Sequence, residues 1–164
     1  MKLRKLTAVL ALAGVLATGT ALAAEQTQFA PDEQYYPKDQ LITLDKQNVA
    51  KGEGTLFGKF SFTRDQASKE AAIKEIGWMT LEKGASIGLH THGVNEDTYI
   101  IVSGEGIFMD GTGKETVVKA GDITIARPGQ GHALRNEKEE PLVFLDIIAQ
   151  NDTYALNHPQ PEKK

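Results

Sequence analysis

Between Thr55 and Gln150 the apolar residues fall in short bursts, not in the three-and-four rhythm of an amphipathic helix. Thr55-Leu56-Phe57 and Phe60-Ser61-Phe62 open the series, and Ile76 to Leu81, Thr98 to Val102 and Ile107-Phe108-Met109 continue it. Thr116-Val117-Val118, Ile123 to Ile125 and Leu142 to Ile148 complete it. The breaks between bursts are turn formers: Lys83-Gly84, Gly104-Glu105-Gly106, Asp110-Gly111-Thr112-Gly113, Ala120-Gly121-Asp122 and Pro128-Gly129. β-Branched residues dominate the bursts and Gly or Asp the breaks, which predicts an all-β sandwich or barrel. Only residues 65–74 (DQASKEAAIK) have helical composition, and they fit either one helix or a solvent loop.

The flanks read differently. Lys2, Arg4 and Lys5 precede an uncharged apolar run, and Ala21-Leu22-Ala23 then places small residues at alternate positions, which predicts a signal peptide over residues 1–23. The run is shorter than the ~20 residues a spanning helix needs, so no membrane span is expected after cleavage. Residues 24–53 are a polar arm interrupted by Pro31 and Pro37, with one apolar beat at Leu41, Ile42 and Leu44 that fits a single edge strand. The rest of the arm is expected to be loosely ordered, docked on a partner subunit or solvated. Residues 54–150 form the predicted β domain, and 151–164 a polar tail in which His158 is given no role. The expected location is periplasmic or secreted.

Composition narrows the chemistry. A chain of 164 residues suits one domain, and 16 Gly against 7% aromatics agrees with many turns. The absence of Cys excludes disulfides, thiolate metal sites and cysteine nucleophiles. Loss of the three basic residues of the leader takes the formal charge from −4 to −7, and a pI near 5.6 argues against a nucleic-acid partner.

Three of the four His lie in the β region. His90 and His92 are two apart, so on a strand they share a face. Glu96 and Asp97 open the next burst, and His132 follows the Pro128-Gly129 turn. Three imidazoles and a carboxylate make an N/O donor set suited to Mn, Fe, Co, Ni or Zn and unsuited to Ca or soft metals. The competing reading makes the histidines hydrogen-bonded core.

The spacing around these residues resembles a known family. Gly84-x5-His90-x-His92-x4-Asp97-x6-Gly104 is similar to the first motif of the cupins, and Gly121-x5-Arg127-x-Gly129-x2-His132-x3-Asn136 to the second. The resemblance, over about residues 54–150, implies a double-stranded β-helix (jelly roll) whose lumen holds the histidines. It also implies one divalent metal, Mn or Fe favoured with Zn, Ni or Co as alternatives, and a homodimer. The chain departs from the pattern twice. Asp97 stands where the family has Glu, with Glu96 beside it as the alternative carboxylate, and Asp is one C–C bond of ~1.5 Å shorter. Arg127 stands where the family has its first Pro, at the expected mouth of the barrel.

Arg127 and Tyr99 are the candidate ligand-binding residues: a guanidinium suits a carboxylate, and Tyr99 shares the phase of Asp97. Arg135 alternates away from His132 and is expected to point outward, Trp78 is expected in the core, and Asn136 is expected to make a structural hydrogen bond. Small cupins include oxalate-type decarboxylases and oxidases, dioxygenases, isomerases and non-catalytic binders, so resemblance does not select a reaction. The leading expectation is a metal-dependent enzyme acting on a small carboxylic acid or related oxygenated compound, decarboxylase/oxidase or dioxygenase-like. The alternative is a periplasmic binding module for a small ligand or sugar.

Overall fold

Alternation of apolar and polar positions builds two antiparallel sheets whose apolar faces meet. The computed structural model describes residues 33–150 and 156–157; the expected signal peptide over residues 1–23, the start of the arm, most of the tail and His158 lie outside the described residues. The strands are β1 (Ile42–Thr43), β2 (Lys46–Gln47), β3 (Thr55–Phe62), β4 (Ile73–Leu81), β5 (Ser86–Thr91) and β6 (Asn95–Ser103). They continue with β7 (Glu105–Asp110), β8 (Glu115–Lys119), β9 (Ile123–Ala126), β10 (Gly131–Arg135) and β11 (Leu142–Gln150). The larger sheet runs β1-β3-β4-β11-β6-β9, with β2 also on β3, and the smaller runs β5-β10-β7-β8. This is the jelly-roll arrangement of a double-stranded β-helix.

The period of two decides what lies between the sheets. On β11, Leu142, Phe144, Asp146 and Ile148 face inward, and on β6 Asp97, Tyr99 and Ile101 do the same. Phe60 and Met79 from the larger sheet meet Ile87 and Leu134 from the smaller one in a single core. Asn136, fully buried, ties the end of this core together: its Nδ2 donates to the carbonyls of Leu81 and Glu140, both at 2.9 Å, and its Oδ1 accepts from Lys138 N at 2.8 Å. The structural hydrogen bond expected of Asn136 is present.

Trp78 is not in the core. It is 45% exposed on the outer face of β4, because Met79 and Leu81 take the inward phase. Leu145, paired with Trp78 and with Ile100, extends that face across β11 and β6, and Ile100 in turn pairs with Ile123. Both faces of this sheet therefore carry large apolar residues. Residues 63–72 form a loop without a helix. Thr63 closes one turn, its carbonyl accepting from Gln66 N and Ala67 N, and the Ser68 hydroxyl then accepts from Ala71 N instead of letting a second turn form. The arm contributes the expected edge strand, β1, and a second short one, β2.

Beyond β2 the arm makes a tight turn in which Asn48, Ala50 and Lys51 all adopt left-handed backbone with φ of 49°, 52° and 64°. This turn presses on β5. A Cβ on Gly88 would lie 2.2 Å from the Ala50 carbonyl oxygen and 2.8 Å from Gly52 N, so only Gly fits there. Glu53 N donates to the Ser86 hydroxyl and Ser86 N to the Glu53 carbonyl, both at 2.8 Å, locking the two segments together.

Candidate metal centre

The pressed strand β5 carries His90, and His92 directly follows its last residue. His132 on β10 pairs with His90 and Leu134 pairs with Ile87, so three steps on β5 face two on β10. The extra residue is a β-bulge at Gly88-Leu89, and it reverses the alternation. Without it the inward phase of Ile87 would pass to Leu89 and Thr91. With it Leu89 is exposed, and His90 and His92 turn toward the lumen. The His90 Nδ1–H donates to the Gly88 carbonyl at 2.9 Å, so the bulge also fixes the ring.

His132 enters from β10 and Asp97 from β6 across the lumen. One donor atom from each of His90, His92, Asp97 and His132 lies within 4.8 Å of all the others. His92 Nε2 is 3.0 Å from His132 Nε2 and 3.2 Å from Asp97 Oδ2, and His132 Nε2 is 3.4 Å from the same oxygen. Three of the four groups are buried and His90 is half-buried. Asn95 accepts from the His92 Nδ1–H through its Oδ1 at 3.3 Å. Both β5-derived imidazoles thus spend their Nδ1–H outward and present bare Nε2 lone pairs inward.

The electrostatics follow from this crowding. Burial pushes the Asp97 carboxyl up, but the His132 and His92 imidazoles against its Oδ2 outweigh it and hold it below the ordinary carboxylate range. Burial also lowers His90 from its ordinary 6.5, against a raising contribution from the Gly88 carbonyl, so its neutral, ligating form is favoured. Three acceptors, the Nε2 of His90 and His92 and the Asp97 carboxylate, face one interior point with at most one proton of His132 among them. A cation at that point resolves the excess of lone pairs, and the donor set fits a borderline divalent ion.

The other predicted residues fall on two sides of this point. Tyr99 is buried, stacks on the His132 ring at 4.7 Å and 19°, and brings its hydroxyl to 3.4 Å from His132 Nε2. Burial, reinforced by the Asp97 charge, pushes its phenol well above its ordinary value, so the hydroxyl keeps its proton. Glu96 points away from the lumen and pairs with Arg127 at 3.8 Å. Arg127 lines a cleft of about 540 Å³ with Leu89, Thr91, Phe108 and Gln130. Phe108 also meets the His132 ring edge-on at 6.1 Å, linking cleft and histidines. Arg135 points outward as expected, gripping Glu115 with two bonds of 2.7 and 2.9 Å and Glu137 with one of 2.7 Å.

One neighbour of this group escaped the sequence reading. Asp146 is buried on β11 beside Asp97, and burial together with the Asp97 charge pushes its carboxyl well above the ordinary range. The signal was present: a single acid within Leu142 to Ile148, in phase with Leu142, Phe144 and Ile148.

Comparison with known proteins bears on the whole arrangement. The model of the Cupin domain matches residues 77–148. The oxalate-binding protein of Thermotoga maritima is 40% identical over 101 residues, which cover 62% of this chain and 81% of that protein. The crystal structure of a predicted oxalate decarboxylase from Thermotoga maritima superposes with a TM-score of 0.62 at 29% identity, over 71% of this chain and 99% of that one. An uncharacterized conserved protein with a double-stranded β-helix domain from Klebsiella pneumoniae gives a TM-score of 0.55 at 24% identity, over 73% of this chain and 91% of its own. With two sheets, inward histidines and this extent of identity, the chain belongs to the cupin family.

Proposed function

We propose that His90, His92, Asp97 and His132 hold one divalent transition metal, Mn or Fe by preference, and that the site takes a small carboxylic acid of the size of oxalate. The observation that carries this reading is the 3.0 Å approach of two imidazole Nε2 atoms beside an ionised carboxylate, an arrangement a cation would stabilise. When bound, the metal supplies Lewis-acid polarisation, and Mn or Fe adds one-electron chemistry. The chain's own groups supply the rest. The Tyr99 hydroxyl is a hydrogen-bond donor directed at the donor cluster, Arg127 offers a guanidinium in the neighbouring cleft in competition with Glu96, and Phe108 touches both that cleft and the His132 ring. The name of the 40% identical relative supports an acid of this class.

The leading reading is turnover of that acid by decarboxylation or oxidation. A second reading, binding without turnover, is favoured by one observation. Glu96, the one carboxylate beside Asp97 in sequence that could act as a general acid or base, faces outward and pairs with Arg127 at 3.8 Å.

Metal analysis and oxalate calorimetry test both. About one equivalent of metal, lost in His92→Ala, with oxalate binding lost alongside it, is expected. Oxalate binding that survives removal of the metal overturns the proposal, and carbon dioxide release from the loaded protein separates turnover from binding. Two further parts of the reading are export, checked by finding a mature N-terminus at Ala24 in a periplasmic or extracellular fraction, and a homodimer joined through the outer face around Trp78, Leu145 and Ile123. Sedimentation of Trp78→Glu as a monomer, against a dimeric parent, supports the latter; identical sedimentation overturns it.

A further inference from the structure

The three imidazoles of the centre are held in three different ways. His90 donates its Nδ1–H to the backbone carbonyl of Gly88. His132 has no hydrogen-bond partner on its buried Nδ1 and is held by ring contacts, stacked on Tyr99 and edge-on to Phe108. His92 is held by a side chain. Its backbone is pinned on both sides, N donating to the Gln130 carbonyl at 3.1 Å and O accepting from Gly129 N at 2.7 Å. What this leaves open is the turn of the ring, and with it which nitrogen faces Asp97 and His132. Asn95, the first residue of β6, settles that turn: its Oδ1 lies 3.3 Å from Nδ1, while Nε2 lies 3.2 Å from Asp97 Oδ2. An amide oxygen only accepts, so Nδ1 carries the hydrogen and Nε2 keeps a free lone pair.

We propose that Asn95 is the positioning residue for His92, fixing its ring and tautomer so that Nε2 is the atom offered to the metal. The inference rests on the reading of the four residues as metal ligands. Asn95 itself ligates nothing. It is half-buried, and its other side lines a cleft of about 640 Å³ with Arg64, Lys74 and Gln150. Water from that cleft can replace the amide oxygen once the side chain is shortened, so Asn95→Leu, of similar size and without an acceptor, removes the contact more completely than Asn95→Ala. Asn95→Asp keeps the acceptor and strengthens it by charge. Removing a group that orients a histidine ligand typically costs about 10- to 100-fold in metal affinity, and a neutral acceptor at 3.3 Å belongs at the low end of that range.

The test uses the full chain, freed of metal and titrated with Co2+, with affinity read by calorimetry and coordination by the visible absorption bands. Wild type, Asn95→Leu, Asn95→Asp and His92→Ala are compared, with Asn95→Ala in place of the Leu variant should that one not fold. The expected result is affinity weakened by about tenfold with altered bands in Asn95→Leu, and wild-type or tighter binding with wild-type bands in Asn95→Asp. A Leu variant with wild-type affinity and bands overturns the inference, and so does an Asp variant as weak as the Leu one. If wild type and His92→Ala bind Co2+ alike, the metal reading itself falls and the positioning role with it, a pattern distinct from the other two.

Discussion

Replacing Gly88 by Ala tests the link between the arm and the histidines. The added Cβ would stand 2.2 Å from the Ala50 carbonyl oxygen, where carbon–oxygen contacts ordinarily begin near 3.3 Å, so the two segments must part by about 1 Å. The neighbour on the other side is Gly52 N at 2.8 Å, again backbone, so no flexible side chain can absorb the change. Overpacking of this kind costs about 1–3 kcal/mol, which exceeds the ~0.4–1 kcal/mol that Gly→Ala gains by restricting the unfolded chain. A net loss of about 1 kcal/mol lowers the melting temperature by roughly 4 °C in a domain of this size. The displacement falls two residues before His90, at the residue whose carbonyl anchors its ring, so Co2+ affinity should drop as well, by about tenfold or more. Melting by circular dichroism and cobalt titration of the same preparation give both numbers. Leu89→Ala, at a side chain 51% exposed, is the control and should change neither by much. Gly88→Ala with an unaltered melting temperature and unaltered metal affinity would refute the coupling.

Three other substitutions address separate parts of the molecule. Asn136→Ala strips the Leu81 and Glu140 carbonyls of a buried donor and should cost about 3 kcal/mol in urea unfolding; a loss below about 1 kcal/mol would contradict the role given to it. Arg127→Ala should weaken oxalate binding about tenfold without lowering metal content, and Arg127→Lys should restore it only in part because the bidentate fork is lost; full restoration by Lys counts against a direct guanidinium contact. Tyr99→Phe keeps the stacking on His132 and Phe144 and removes only the hydroxyl, so metal content should hold while oxalate affinity falls by about fivefold, and an unchanged affinity removes Tyr99 from the binding site.

The sheets were legible because burial on one face imposes alternation. Thr98 to Val102 and Leu142 to Ile148 read as strands and are strands, with Tyr99 and Phe144 inside. The shared face of His90 and His92 was legible from spacing and the approach of His132 from the family resemblance, and the lumen contains Asp97, not the alternative Glu96, because the pair must take opposite faces of β6. What escaped had no periodic signal. Trp78 and Met79 are both large and apolar, so β4 offered no contrast by which to tell inside from outside. The bulge at Gly88-Leu89 breaks the very alternation on which such readings depend; Ile87 and His90 are an odd number apart and yet share a face. Residues 65–74 have the composition of a helix, but local hydrogen bonds from Thr63 and Ser68 compete for the backbone and win over so short a span.

The turn at residues 48–52 has a consequence for how this module can be divided. The family match begins at Gly77 and the regular bursts at Thr55, and either would serve as a natural place to cut. The backbone that fills the space against Gly88 lies upstream of both. A fragment begun at residue 54 would keep every histidine and both sheets' long strands, yet would leave one side of the bulge against water. Truncation or grafting at the family boundary would therefore transfer the scaffold while loosening the aim of His90. The heritable unit recognised by its motifs is smaller than the mechanical unit that makes those motifs work.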